Sequence, residues 1–190
     1  MFKNGLDMMG GDYAPLEAVK GVSAFLQENS KDVHLVLIGD EEQIKQHIAA
    51  LSIAPGQYSI VHASQVIEMH EHPTKALKEK QHSSIAIGFH LLATGKTDAF
   101  ISAGNTGAMM VGALFSIKAI EGVLRPTIGA YMPRENGTLG LLLDVGLNAD
   151  CKPENLNQFA MLGSLFAEHI LKIENPRVGL VNLGEEEGKG

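Results

Sequence analysis

Short apolar runs alternate with amphipathic segments along most of the chain, and this alternation limits the fold more than any other feature. Residues 33–38 are almost continuously apolar and are closed by Gly39, the pattern of a strand covered on both faces of a parallel sheet. Before them, Leu16, Val19, Val22 and Leu26 recur at helical spacing. After them, Asp40 stands where it can cap a second helix, from Glu41 to about Leu51. Residues 2–8, 58–61 and 98–101 read as further strands, and Ser83-Ser84 opens a helix through Ile87, Leu91 and Leu92 that ends at Gly95. Pro15 suits the first position of the first helix, and Thr74 the cap of a basic segment holding Lys75, Lys78 and Lys80. The expectation is an α/β protein with a mostly parallel sheet, built as one domain over residues 1–190.

In the second half, residues 127–132 and 139–145 flank Asn136-Gly137, a strong hairpin signal, and read as adjacent antiparallel strands. Pro153 and Asn155 lead a helix to about Lys172, with Leu156, Phe159, Leu162, Phe166 and Ile170 at core spacing and Met161 as packing. Residues 177–183 read as one more apolar strand, followed by a glycine-bounded acidic turn over 184–190. A parallel strand should lead into a covering helix. The chain is therefore expected to be the N-terminal portion of a longer fold.

A net charge of −7 and the lack of a basic cluster argue against a nucleic-acid partner. Cys151 is the single cysteine, so no disulfide can form within the chain. Residues 1–7 have no apolar signal core, and no run reaches the length of a membrane span; the expectation is a soluble, cytoplasmic protein. The eight histidines are scattered without ligand spacing, so no metal site and no cofactor is expected.

Chemistry is best sought in residues 99–112, A-F-I-S-A-G-N-T-G-A-M-M-V-G, which read as strand, tight turn and helix start. Gly104 and Gly107 remove Cβ atoms that would keep a ligand off the backbone, and Asn105 or Thr106 can cap the helix. Free N–H groups at that end, with the helix dipole, suit a phosphate or carboxylate. A capped connection without a ligand fits equally, since S-x-G-N-T-G is neither a P-loop nor a G-x-G-x-x-G fingerprint. Met9-Gly10-Gly11-Asp12 is a second glycine turn after a strand, open to the same two readings. His70 and His72 lie in a polar loop as bases, ligands or solvated groups, and Lys75 shares a face with Lys78 where an anion or only water can be met. Asp144 ends an apolar strand, where either a ligand-orienting acid or a cap belongs, and Asn148 can hold a loop backbone.

Several blocks together resemble one family. They are D-M-M-G-G-D-Y-A-P (7–15), H-P-T-K-A-L-K-E-K-Q-H-S-S-I (72–85), S-A-G-N-T-G-A-M (102–109), Arg125-Pro126, L-L-D-V-G-L-N-A-D (142–150) and R-V-G-L-V-N-L-G-E-E-E-G-K-G (177–190). In this order they resemble the PlsX family, the phosphate acyltransferases of bacterial phospholipid synthesis. The family usually has alanine at Met8 and Leu147 and histidine at Tyr13, and its chains continue well past the last block. The resemblance implies a three-layer α/β/α Rossmann-like sandwich, akin to phosphotransacetylases and isocitrate dehydrogenase-like enzymes. It also implies acyl transfer from acyl carrier protein to inorganic phosphate, a homodimer, and peripheral contact with the membrane.

For such a reaction phosphate itself is the nucleophile, so Cys151 is not required. The protein must hold an anion and stabilise an oxyanion. Backbone N–H groups at Gly10, Gly11, Gly104 and Thr106, beside Gly107, suit both tasks, and Ser102, Asn105 and Thr106 add neutral donors. Lys75 or Arg125 can supply positive charge, and Asp12 or Asp144 can orient it. The expected order of importance is Asn105 with its turn, then Gly10-Gly11-Asp12, then Asp144 and Asn148. Asn105→Ala is expected to cut turnover with little loss of fold. Two other classes stay open: a small-acyl phosphotransacetylase using a coenzyme A thioester, and an inactive truncated domain that dimerises or binds a partner.

Overall fold

The computed structural model describes residues 1–28, 32–51, 53, 55–148, 150–182 and 184–185. Its contacts divide the chain into a unit of Met1–Lys118 and a unit of Ala119–Gly190.

In the first unit, β1 (Phe2–Asp7), α1 (Leu16–Glu28), β2 (Val33–Gly39), α2 (Glu41–Ala50) and β3 (Tyr58–His62) follow one another as the alternation predicts. Then come α3 (Pro73–Glu79), α4 (Ser84–Ala93), β4 (Ala99–Ile101) and α5 (Thr106–Ser116). The strands form one parallel sheet in the order β3-β2-β1-β4. β1 is paired on both sides, Phe2 opposite Val33 in β2 and Asn4 opposite Ala99 in β4.

Alternation within the strands sorts side chains between two faces. Leu35 and Leu37 pack with Met8, Val19, Val22, Leu26, Ile44 and Ile48, which places α1 and α2 on one face. Val36 and Ile38 turn to the other face and pack with Ala63 and Leu91 of α4. A second tier lies on α4, where Phe89 and Ile85 meet Ala76 of α3 and Ala108 of α5. The small residues of α5 allow this approach: a Cβ on Gly112 would lie 2.4 Å from the Phe89 ring, and one on Gly107 would lie 2.4 Å from Pro73 Cγ. Each fully buried Leu or Ile here contributes about 1.5–3 kcal/mol of transfer free energy.

Caps fall where side chains can reach orphan N–H groups. Asp40 accepts from Gln43 N at 3.0 Å, and Ser83 Oγ from Ala86 N at 3.3 Å. Two boundaries differ from expectation. Helix α1 begins at Leu16, with the Pro15 carbonyl accepting from Val19 N at 2.9 Å, so Pro15 precedes the helix. Helix α3 has Pro73 as its first residue and His72, without a side-chain bond, at the cap. Proline's fixed φ and missing N–H suit that first position, which leaves Thr74 inside the helix.

In the second unit, β5 (Gly129–Pro133) and β6 (Leu139–Leu143) are antiparallel, Gly129 opposite Leu143. Gly137 takes φ of 78° in the turn between them, as Asn-Gly hairpins require. Helix α6 (Pro153–His169) packs on β6 through Gly163, where a Cβ would lie 2.9 Å from Leu143 Cδ1. Of its expected core stripe only Phe159 is buried, while Leu156, Phe166 and Ile170 are exposed. A two-stranded hairpin is narrower than the apolar face of α6 and covers one band of it. Met161 is also exposed, so it is not packing. Residues 177–182 form no strand, and Val178, Leu180 and Val181 are exposed. Apolar composition yields a strand only where a neighbouring ladder is offered. Leu183 and residues 186–190 of the expected acidic turn lie outside the described residues. Among the described residues, no helix is long and apolar enough to cross a membrane.

Candidate functional site

From β1 the chain steps outward to β2 and β3, and β4 then takes the opposite side of β1. The carboxyl ends of β1 and β4 therefore flank a topological switch point, where open α/β sheets bind ligands. The two glycine turns singled out in the sequence follow these two strands, and the sheet brings them into contact. A Cβ on Gly10 would lie 2.5 Å from Gly104 N and 2.7 Å from Asp7 Oδ2. Only glycine permits this crossing. Gly11, with φ of 101°, continues the first turn past Ala103.

Asp7, which sequence reasoning passed over, organises the junction. It is buried at the end of β1 and accepts from Ser102 Oγ at 2.6 Å and from Met9 N at 3.0 Å. Ser102 Oγ in turn accepts from Gly104 N at 2.9 Å. The Ser102 hydroxyl and the Gly104 N–H are thus committed to shaping the turn. The first-turn N–H groups of Thr106 and Gly107 have no intrahelical acceptor, because they open α5. Thr106 is exposed and Gly107 is partly buried beside Pro73 at this end of α5, where the positive end of the helix dipole lies.

Asn105 is buried, and its amide is fully engaged. Oδ1 accepts from Ala108 N at 2.9 Å, which caps α5. Nδ2 donates to the carbonyls of Glu68, Met69 and Glu71 at 3.0, 3.2 and 3.1 Å. The opposite amide orientation would set oxygen against three carbonyls, so chemistry fixes this one. Lys80, read in the sequence only as part of a basic segment, secures the same loop: its Nζ donates to Val66 O at 2.7 Å and pairs with Glu71 at 2.6 Å. The Lys80 bond, with the Glu68 N–H that Glu71 also accepts, holds the Glu71 carboxyl below its ordinary pKa. The clamp leaves Glu68, Met69 and His70 exposed on the loop. His72 is exposed at the start of α3.

Asp12 and Lys75 are exposed in the first unit. Asp144, Asn148 and Arg125 belong to the second unit, where they tie one loop together. Asp144 accepts from Ile128 N at 2.9 Å, Thr127 Oγ1 at 3.2 Å, and Asn148 N and Nδ2 at 2.6 and 3.0 Å. Burial opposes ionisation of Asp144, but these donors outweigh it and hold its pKa below the ordinary value. Asn148 Nδ2 also donates to Pro126 O at 3.0 Å, and Arg125 Nη1 to Asp150 O at 3.0 Å. Asn148 therefore holds loop backbone through Pro126.

This parallel sheet with flanking helices and glycine turns at its switch point is an α/β fold of the phosphotransacetylase type. A phosphotransacetylase from Streptococcus pyogenes superposes with a TM-score of 0.67 at 21% identity, over 91% of this chain and 55% of that one. EutD phosphotransacetylase from Staphylococcus aureus gives 0.62 at 17% identity, over 87% and 53%. Residues 2–190 match the model of the family described as fatty acid synthesis protein, and the chain belongs to that family. It is 46% identical over 188 residues to a phosphate acyltransferase of Dictyoglomus turgidum, covering 99% of this chain and 55% of the relative. It is 48% identical to the phosphate acyltransferase of Pelotomaculum thermopropionicum, covering 99% and 54%. The chain thus spans about half the length of the relatives it matches.

Proposed function

We propose that this chain carries the anion-binding half of a phosphate acyltransferase, which moves an acyl group from a thioester of acyl carrier protein to inorganic phosphate. The observation that carries the reading is the contact between the Gly10-Gly11 and Gly104 turns at the switch point, beside the first-turn N–H groups of Thr106 and Gly107, which have no intrahelical acceptor. Glycine lets the two turns cross at a switch point, the place where open α/β sheets take ligands, and relatives named phosphate acyltransferase supply the substrate classes.

A phosphate oxygen attacks the thioester carbonyl carbon, the carbonyl π pair moves onto oxygen, and collapse expels the thiolate, which then takes a proton. No enzyme nucleophile is consumed. The cradle of Gly10, Gly11, Thr106 and Gly107, shaped by Gly104, holds phosphate and lowers the cost of the oxyanion. Asp7, Ser102 and Asn105 fix the shape of that cradle. Lys75 supplies positive charge and Asp12 its orientation. In the second unit, Asp144, Asn148 and Arg125 keep one loop in place. The resemblance of the sequence blocks also supports a homodimer, in the cytoplasm, that touches the membrane peripherally.

The reaction is tested by phosphate-dependent acyl phosphate formation from long-chain acyl carrier protein, trapped as the hydroxamate. Transfer from acetyl coenzyme A instead would favour a small-acyl phosphotransacetylase. The cradle is tested by Thr106→Pro. Asn105 has φ −59° and ψ 108°, a conformation that tolerates a following proline, and proline is accepted at the first helical position. The variant should keep α5, lose one N–H, and bind phosphate about tenfold more weakly. Thr106→Ala, which keeps the N–H, serves as control. Equal phosphate affinity in Thr106→Pro and Thr106→Ala sinks the cradle.

A further inference from the structure

We propose that the acyl chain of the substrate lies in an apolar groove of about 500 Å3 that runs from the glycine turns along the outer side of α1. This rests on the phosphate acyltransferase reading and deepens it. Helices α1 and α2 cover the face of the sheet formed by β1, β2 and β3. On that same face β4 has no covering helix among the described residues, and Ile101 is 54% exposed. A trough is left between α1 and the end of the sheet.

One end of the trough is the candidate site: Gly10, Gly11, Ser102 and Ala103 line its mouth. Strand β1 runs toward that mouth, and α1, antiparallel to it, leads away from it. Leu6 and Leu35 form the floor, Ala18 and Val22 the wall, and Phe25 the far end. Ala18 to Phe25 spans about 10 Å at the helical rise, and Asn4 to Asp7 about 10 Å at the strand rise. The volume falls within the range of about 300–1,000 Å3 typical of small-molecule sites. A thioester carbonyl held at the glycine turns needs an apolar path for its chain, and this groove opens at those turns.

Gly21 adds an independent reason. It lies inside α1, where glycine weakens a helix. A Cβ built on it meets nothing within 4 Å, so packing in this unit does not demand glycine. It lines the groove, and a large side chain there would enter it.

The experiment titrates the 190-residue chain, by methyl and amide NMR, with decanoate, butyrate and inorganic phosphate in turn. Decanoate should shift the methyls of Leu6, Val22 and Ile101 saturably. Each methylene buried should tighten binding about fourfold, so butyrate should bind at least about a hundredfold more weakly. Gly21→Leu and, as a second variant on the same wall, Ala18→Leu should abolish the decanoate shifts and leave the phosphate response of the Thr106 and Gly107 amides unchanged. Decanoate shifts that are absent, or that survive both substitutions in folded protein, overturn the groove. Methyl shifts that follow protein concentration without ligand overturn it as well, by showing that a second copy fills it. A phosphate titration that leaves the Thr106 and Gly107 amides unmoved, while decanoate binds, sinks the phosphate reading instead.

Discussion

Replacing Asn105 separates two roles that one amide performs. Oδ1 caps α5 through Ala108 N, and Nδ2 holds three carbonyls of the loop before α3. Losing an N-cap costs about 1 kcal/mol. The two Nδ2 hydrogens serve three acceptors, which amounts to about two bonds at about 1 kcal/mol each. Asn105→Ala should therefore destabilise the first unit by about 3 kcal/mol, a larger loss than the sequence alone suggests. Asn105→Asp keeps the cap, and its charge suits the helix end, but it sets oxygen against the carbonyls of Glu68, Met69 and Glu71. Urea unfolding should rank wild type above both variants, and amide exchange at residues 65–72 should quicken in both. If Asp restores wild-type stability at pH 7, only the cap matters and the loop clamp is refuted. If Ala costs less than about 1 kcal/mol, both roles are overstated.

Gly10→Ala and Gly21→Ala should move stability in opposite directions. The Cβ at Gly10 collides with Gly104 N, so overpacking should cost about 1–3 kcal/mol, while Gly21→Ala, meeting nothing, should gain about 0.5–1 kcal/mol; thermal melts check both. For Asp144, the folded pKa lies below its ordinary 3.8, so its contribution is present above pH 3.8 and is lost as pH falls through the folded value. Asp144→Asn should thus cost about 1–2 kcal/mol at pH 7. The gap to wild type should be constant above pH 5 and close on acidification; a gap that widens in acid contradicts the assignment.

Local chemistry made much of this chain readable in advance. The Asp40 and Ser83 caps and the Asn136-Gly137 hairpin each involve partners within a few residues, the apolar run ending at Gly39 shows in its composition, and each is where the residues indicate. What was hidden depends on distant partners. Asp7 gains meaning only because β4 lies beside β1, which brings Ser102 to it across 95 positions. The three carbonyls that occupy Asn105 come from 34 to 37 residues upstream, beyond any periodicity. The apolar stripe of α6 was visible, but stripe width says nothing about how much surface a two-stranded hairpin can cover.

The central place of β1 has a consequence for how the protein is made. Of the four strands in this sheet, the earliest made is the one that needs neighbours on both edges. Its second neighbour, Ala99 opposite Asn4, is synthesised 95 residues later (99 − 4). At about 5–20 residues per second that interval is roughly 5–20 s. Throughout it the nascent sheet presents an unpaired edge next to its most apolar strands. A growing chain of this design depends on shielding of that edge until residues 99–101 emerge.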